Sequence, residues 1–211
     1  TLGDVELTLN LPSAPKEIDP NNNSQSATLA IRKEELKVLI IESFPRWEYR
    51  FLRNALERDP GVEVDCLLFH PDLPSVGKGR RYLEAFPSQG RLTEYDVIFL
   101  GDIGIGPKQL TTENCTRIQK LVRDQASGVV FLPGLRGNQH SLLESSLSEL
   151  YPVISDPERK AGIGSAVPSR IILTEEGRKS LLTKLDDNDI SNERIWRTLP
   201  GFQWHAAVIR A

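Results

Sequence analysis

At 211 residues, with 39% hydrophobic and 26% charged side chains, the chain has the composition of a soluble globular protein. It is long enough for one α/β domain and part of a second unit. Its 26 Lys and Arg against 29 Asp and Glu leave a net charge of −3, too near neutral for a nucleic-acid surface.

Cys66 and Cys115 are too few for a disulfide framework, form no CxxC pair, and read as buried small hydrophobes. No apolar run approaches the ~18 residues of a membrane span, so direct membrane insertion is not expected. The chain opens with neither Met nor a leader and ends just after an apolar segment. It is therefore expected to be an excised piece of something longer.

The first stretch reads as a hairpin. Val5, Leu7, Leu9 and Leu11 alternate with Glu6, Thr8 and Asn10; Ala27, Leu29 and Ile31 alternate with Thr28, Ala30 and Arg32. This is the period of strands with one buried face, here separated by a Pro- and Asn-rich loop over 12–23. A lone hairpin is marginal in water. Residues 1–35 are accordingly expected to be the last two strands of an Ig-like β-sandwich, followed by an α/β domain over 36–211. The alternative is a hairpin that belongs to the α/β domain itself. Its open edge also makes a hairpin-mediated dimer an expectation.

Val38-Leu39-Ile40-Ile41 is the continuous apolar run of a strand covered on both faces of its sheet. Glu42-Ser43 ends it, and Pro45 presets φ for a helix start. Trp47, Phe51, Leu52, Ala55 and Leu56 then form one apolar helix face, with Trp47 as a buried anchor. Asp59-Pro60-Gly61 ends this helix, and 62–69 form a second strand. Residues 70–93 read as a long loop with one helical turn, in which His70 is a surface residue and Lys78, Arg80 and Arg81 a solvated basic face.

Tyr95 to Gly101 is a third strand, followed by Asp102 and a turn whose Gly104 and Gly106 match no phosphate-binding pattern. Thr111 or Thr112 caps a helix with Cys115, Ile118, Leu121 and Val122 inward. Gly128 ends that helix, and Val129 to Leu132 is the fourth strand. Beyond Pro133–His140 lies a helix with Leu142, Leu143, Leu147 and Leu150, capped by Ser141. The last third reads as a strand over 170–174, a helix over 175–185, a polar turn over 186–192, a short helix over 193–199 and a strand-like end over 202–209. The whole is α/β: a flavodoxin-like, doubly wound, mostly parallel sheet in the order 2-1-3-4-5.

Such a sheet works at the carboxyl ends of its strands. The candidate functional edge there comprises Glu42, Arg46, Glu48, Arg50, Asp102, Arg136 and His140. Glu42 and Asp102 end neighbouring strands and could hold Mg²⁺ or take a phosphoryl group, as the receiver-like strand DVIFLGD suggests. The plainer reading is that Arg46 or Arg50 neutralises Glu42. Hydrolases and class I amidotransferases expose a nucleophile at an elbow such as Pro133-Gly134-Leu135-Arg136-Gly137, but leucine cannot attack a carbonyl. Likewise His205, an expected interface or core histidine, has Ala207 where a His-x-Glu base pair needs its acid.

Four stretches, ESFPRWEYRFLRNALERDPGVEV, YDVIFLGD, GVVFLPGLRGNQHSLLESSLSELYPV and ILTEEGRKSLLTKL, resemble the glutamine-amidotransferase-like domain of large bacterial membrane-anchored proteins. Those proteins commonly add a von Willebrand type A domain, with an Ig-like segment ahead. The likeness spans about residues 36–211, with PRWEYR its most specific part. It implies the class I amidotransferase fold, usually without the Cys-His-Glu machinery. It also implies an extracytoplasmic fragment of a membrane-anchored protein, whose partners are other domains of the polypeptide or envelope proteins.

The expected function is thus a non-catalytic module that binds a ligand or partner, with no cofactor, no metal and no catalytic residues. The alternatives are a hydrolase built from Glu42, Asp102 and His140, and a receiver-like or nucleotide-binding domain.

Overall fold

The computed structural model describes residues 3–12, 23–31, 35–69 and 81–210. The two alternating segments pair antiparallel as β1 (Gly3–Asn10) and β2 (Ser24–Ile31), with Leu7 opposite Ala27. Leu7, Leu9 and Leu11, which share one face by their spacing, are 55%, 69% and 63% exposed.

β3 (Leu36–Glu42) is the centre of the α/β unit. After it come α1 (Trp47–Glu57), β4 (Val62–Leu68), β5 (Tyr82–Leu83), α2 (Gln89–Leu92), β6 (Val97–Leu100), α3 (Thr112–Gln125) and β7 (Gly128–Phe131). The sheet runs β5-β4-β3-β6-β7, with every pairing parallel. This α/β sheet flanked by helices is compatible with a flavodoxin-like fold. The four strands read from sequence take the expected order. The fifth strand does not, because β5 adds beside β4 from within the expected loop. His70, Lys78 and Arg80 lie outside the described residues, while Arg81 pairs with Glu63.

Alternation along β3 builds two cores. Val38 and Ile40 pack with Tyr49, Val64 and Cys66 beneath α1; Leu39 and Ile41 pack with Ile98, Leu100, Ile118 and Leu142 on the face covered by α3. Cys66 and Cys115 are both free and fully buried, one in each core, and burial pushes both thiols up from their ordinary pKa. No helix among the described residues is long and apolar enough to cross a membrane.

Several local expectations are corrected. Trp47 is 66% exposed and Phe51 67%, and the two rings stack on the solvent side of α1 at 6.1 Å. The inward face is instead Tyr49, Leu52, Arg53 and Leu56. Arg46 points inward at the cap of α1, and three- and four-residue steps from it lead to Tyr49, Arg53 and Leu56, so Trp47 must turn outward.

α3 is capped by Thr111 in a capping box with Asn114, but it ends at Ala126, whose φ is 56°, and Gly128 already belongs to β7. The leucine-rich segment after the elbow forms two 3₁₀ helices, Asn138–Glu144 and Ser146–Leu150, divided where the Ser145 hydroxyl accepts from the Leu147 amide. Ser141 lies inside the first of them and caps nothing.

The C-terminal part stands outside the main sheet. β8 (Ile154–Ser155) pairs with β11 (Val208–Arg210), and β9 (Ile163–Ser169) with β10 (Phe202–His205). The expected strand over 170–174 is irregular, because the pairing partner of β10 lies just upstream and Thr174 already caps the next helix. That helix stops early, as α4 (Glu175–Lys179), where Ser180 caps a separate 3₁₀ turn. Asn188 caps α5 (Asp189–Thr198), which starts inside the expected polar turn.

Two substitutions separate core from surface. Leu39→Ala should cost about 2–5 kcal/mol of unfolding free energy, as deletions from a packed core do. Trp47→Ala should stay within about 0.5 kcal/mol of the unsubstituted chain. Urea unfolding curves measure both, and a loss at Trp47 as large as at Leu39 would contradict the observed rotation of α1.

Candidate functional site

At the carboxyl edge of the sheet the neighbouring strands β3, β6 and β7 each end in a turn, and the backbone donors there need acceptors. Glu42 supplies them from inside. Its side chain is 2% exposed; Oε1 accepts from the amides of Ser43 and Asp102, both at 2.9 Å, and Oε2 from Arg46 Nε at 2.7 Å. Arg46 then donates through Nη1 to the Pro133 carbonyl at 3.0 Å and through Nη2 to the Leu132 carbonyl at 2.5 Å. One guanidinium thereby joins the end of β3, the start of α1 and the exit of β7.

Asp102 does the same for the elbow. It is 3% exposed, with Oδ2 accepting from the Arg136 amide and Oδ1 from the Asn138 amide, both at 2.9 Å. Its carbonyl takes the Ser43 hydroxyl at 2.5 Å and the Asn138 side-chain amide at 2.9 Å. Gln139 is also buried and donates to the carbonyls of Leu100 and Gly101, while the Tyr151 hydroxyl donates to its oxygen at 3.0 Å. Close packing forces glycine beside both acids: a Cβ on Gly101 would lie 2.1 Å from Glu42 Oε2, and one on Gly134 would lie 2.5 Å from Asp102 Oδ2.

Chemically, these carboxylates are spent. Both oxygens of Asp102 hold backbone amides, and the residue is 3% exposed. Among the described residues, no group of three or more His, Cys, Asp or Glu is placed to hold a metal ion. Leu135 is 69% exposed at the elbow but lacks the left-handed φ of a strained nucleophile turn. Gly137 carries that φ instead, at 65°, and a Cβ there would sit 2.3 Å from the Lys160 carbonyl.

Five of the expected residues converge. Glu42, Arg46, Glu48, Asp102 and Arg136 line a cleft of about 360 Å³, together with Phe44, Trp47, Leu135 and Trp204. The Arg136 guanidinium lies 4.2 Å over the Phe44 ring, and Arg50, outside the cleft lining, lies 4.8 Å over Trp47. His140 faces elsewhere, lining a separate cavity of about 250 Å³ on the other side of Trp204. Burial and the nearby Lys160 hold its imidazole below the ordinary histidine range. His140 thus does not line the cleft that Glu42 and Asp102 share. His205 is exposed, not in an interior, with its ring against the Ala206 carbonyl.

Trp204 is the residue that sequence reading missed. It stands beside His205, which drew the attention, and no periodicity marks it, since its role arises from the long-range approach of β10 to the elbow. Compared with known proteins, the chain matches no family model, no curated protein and no solved structure.

Removing Arg46 tests the network. Burial raises the Glu42 pKa against the lowering effect of Arg46, so the fold favours the protonated acid. That contribution is fully present below the unfolded value of about 4.3. It is lost as pH rises through the raised folded value. Arg46→Met leaves the charge unpaired and should cost about 3–5 kcal/mol at neutral pH. The deficit should shrink towards about pH 4, and Glu42→Gln in the same chain should recover part of it. A deficit independent of pH in denaturant titrations would argue against a buried Glu42–Arg46 pair.

Proposed function

We propose that the chain is a non-catalytic, class I amidotransferase-like interaction module of a larger bacterial envelope protein. The observation that carries this reading is the contrast at the sheet edge. The buried acids Glu42 and Asp102 are engaged internally, while Trp47 and Leu135, at 66% and 69% exposure, line the cleft with Glu48 and Arg136, and Phe51 and Arg50 flank Trp47 on α1. Exposed aromatics backed by arginines are the composition of interface hot spots. Leu135 at the elbow and Ala207 two residues after His205 support the absence of amidotransferase chemistry.

In this reading residues 1–35 end an Ig-like domain whose missing strands would cover Leu7, Leu9 and Leu11. The whole protein would be membrane-anchored, with this domain on the extracytoplasmic side. The partner is another domain of the same polypeptide or an envelope protein.

Glutamine should yield no ammonia above buffer, and Leu135→Cys alone should create no activity, because the partner base pair is lacking. Turnover that survives Leu135→Arg would place an enzymatic site elsewhere and overturn the reading. A photo-crosslinking residue at position 135 of the full-length protein should form one defined adduct with a neighbouring domain or envelope protein. Trp47→Ser should suppress that adduct without lowering Tm, whereas labelling by solvent alone would count against an interaction surface.

Deleting residues 1–33 should leave the α/β unit folded in thermal melts and weaken any dimer seen by sizing. Unfolding of the shortened chain would assign the hairpin to this domain's own core.

A further inference from the structure

We infer that the cavity on the far side of Trp204 binds a small organic anion with one apolar ring, an aromatic carboxylate. At about 250 Å³ the space lies just under the range of about 300–1,000 Å³ typical of drug-sized sites, which sets the ligand at roughly one ring. Its walls are largely apolar and include three aromatic rings: Phe131 and Tyr151, with centroids 3.9 Å apart, and Trp204, alongside Leu143 and buried Ala207.

Three of the polar side chains in the wall are engaged within the chain. The Tyr151 hydroxyl is given to Gln139, the Gln139 amide to two sheet carbonyls, and the Trp204 indole N–H to the Ala161 carbonyl at 2.7 Å. What remains to meet a ligand is the Ser155 hydroxyl and a cation. Among the described residues lining the cavity there is no Asp or Glu; Lys160 is the charged group, with His140 beside it.

Lys160 makes no ion pair with any described carboxylate; Glu144 lines an adjoining polar depression that shares Lys160 and His140. Its position is fixed from two sides. Its carbonyl packs against Gly137 of the elbow, and the next residue accepts from Trp204. Those contacts fix the backbone; from it the exposed Lys160 side chain is free to bring its ammonium to the rim of an apolar cavity whose described lining holds no carboxylate, which favours an apolar body bearing one negative charge. Burial and Lys160 hold the His140 imidazole below its ordinary pKa, against the opposing pull of Asp156, so Lys160 is the charge that a single anionic group would meet.

The test is titration of the whole chain with phenylacetate and, separately, with its neutral analogue phenylacetamide. NMR shifts of the Trp204 indole N–H and the Gly137 amide report binding. Phenylacetate should saturate both signals, and the amide should bind at least about tenfold more weakly, the scale of one charge-assisted contact. Lys160→Gln should remove that difference while leaving the melting curve unchanged, since the side chain is exposed. Ala207→Leu should fill the cavity and abolish binding of both. Absence of saturable shifts, equal affinity for the two compounds, or an unaltered preference in Lys160→Gln would each overturn the proposal. Should Ala207→Leu fail to fold, the Lys160→Gln comparison decides alone.

Discussion

A charge buried at the end of the central strand is the constraint on which this architecture depends. Glu42 sits where β3 leaves the core, and taking its carboxylate out of water is expensive unless it is paired and hydrogen-bonded. The chain answers with the amides of Ser43 and Asp102 and the guanidinium of Arg46, and each donor belongs to a different part of the fold. The same contacts that neutralise the acid therefore also set the rotation of α1, the spacing of β3 and β6 and the path of the chain leaving β7. Asp102 extends the pattern by holding the two amides of the elbow. Losing one member leaves other buried groups unpaired, so the edge is cooperative.

This arrangement separates the roles of charge and surface. In an active site of this topology, acids at strand ends would keep open coordination positions or stand beside a nucleophile. Here Glu42 and Asp102 are enclosed by backbone amides and a guanidinium, and the groups that meet solvent are aromatic rings, a leucine, arginines and the carboxylate of Glu48. The cation–π contacts of this surface are made within the chain, Arg136 on Phe44 and Arg50 on Trp47, whereas the apolar area of Trp47, Phe51 and Leu135 stays in contact with water. Trp204 contributes to the cleft on one side and to the apolar cavity on the other, and so connects two spaces of different chemistry.

Much of the centre was legible in the residues. The unbroken run Val38 to Ile41 announces a strand covered on both faces, and Glu42 followed four residues later by Arg46 places acid and base within reach. The Leu135 and Ala207 positions could also be read directly. Trp47 could not: hydrophobicity alone puts it inward, whereas the helix is rotated by a polar contact that periodicity does not encode. Nor could the 3₁₀ turns of Asn138–Leu150, where leucine spacing resembles an α-helix but Ser145 diverts a backbone amide. The C-terminal strands pair across long sequence separations, with Trp204 opposite Gly164, and their short runs carry little local signal.

The two cysteines offer a separate view of how the molecule breathes. Cys66 lies in the core beneath α1, Cys115 in the core beneath α3, and the sheet stands between them. They cannot report the same local opening, and the sequence contains no third thiol to confuse the record. Because both are fully buried, a thiol reagent reaches either one only when its own layer lifts or the whole chain unfolds. The ratio of their alkylation rates is thus a built-in comparison of the two sides of the sheet. A partner docked over the outer surface of α1 would slow Cys66 selectively, whereas an occupant of the far cavity would act first on the side of Cys115.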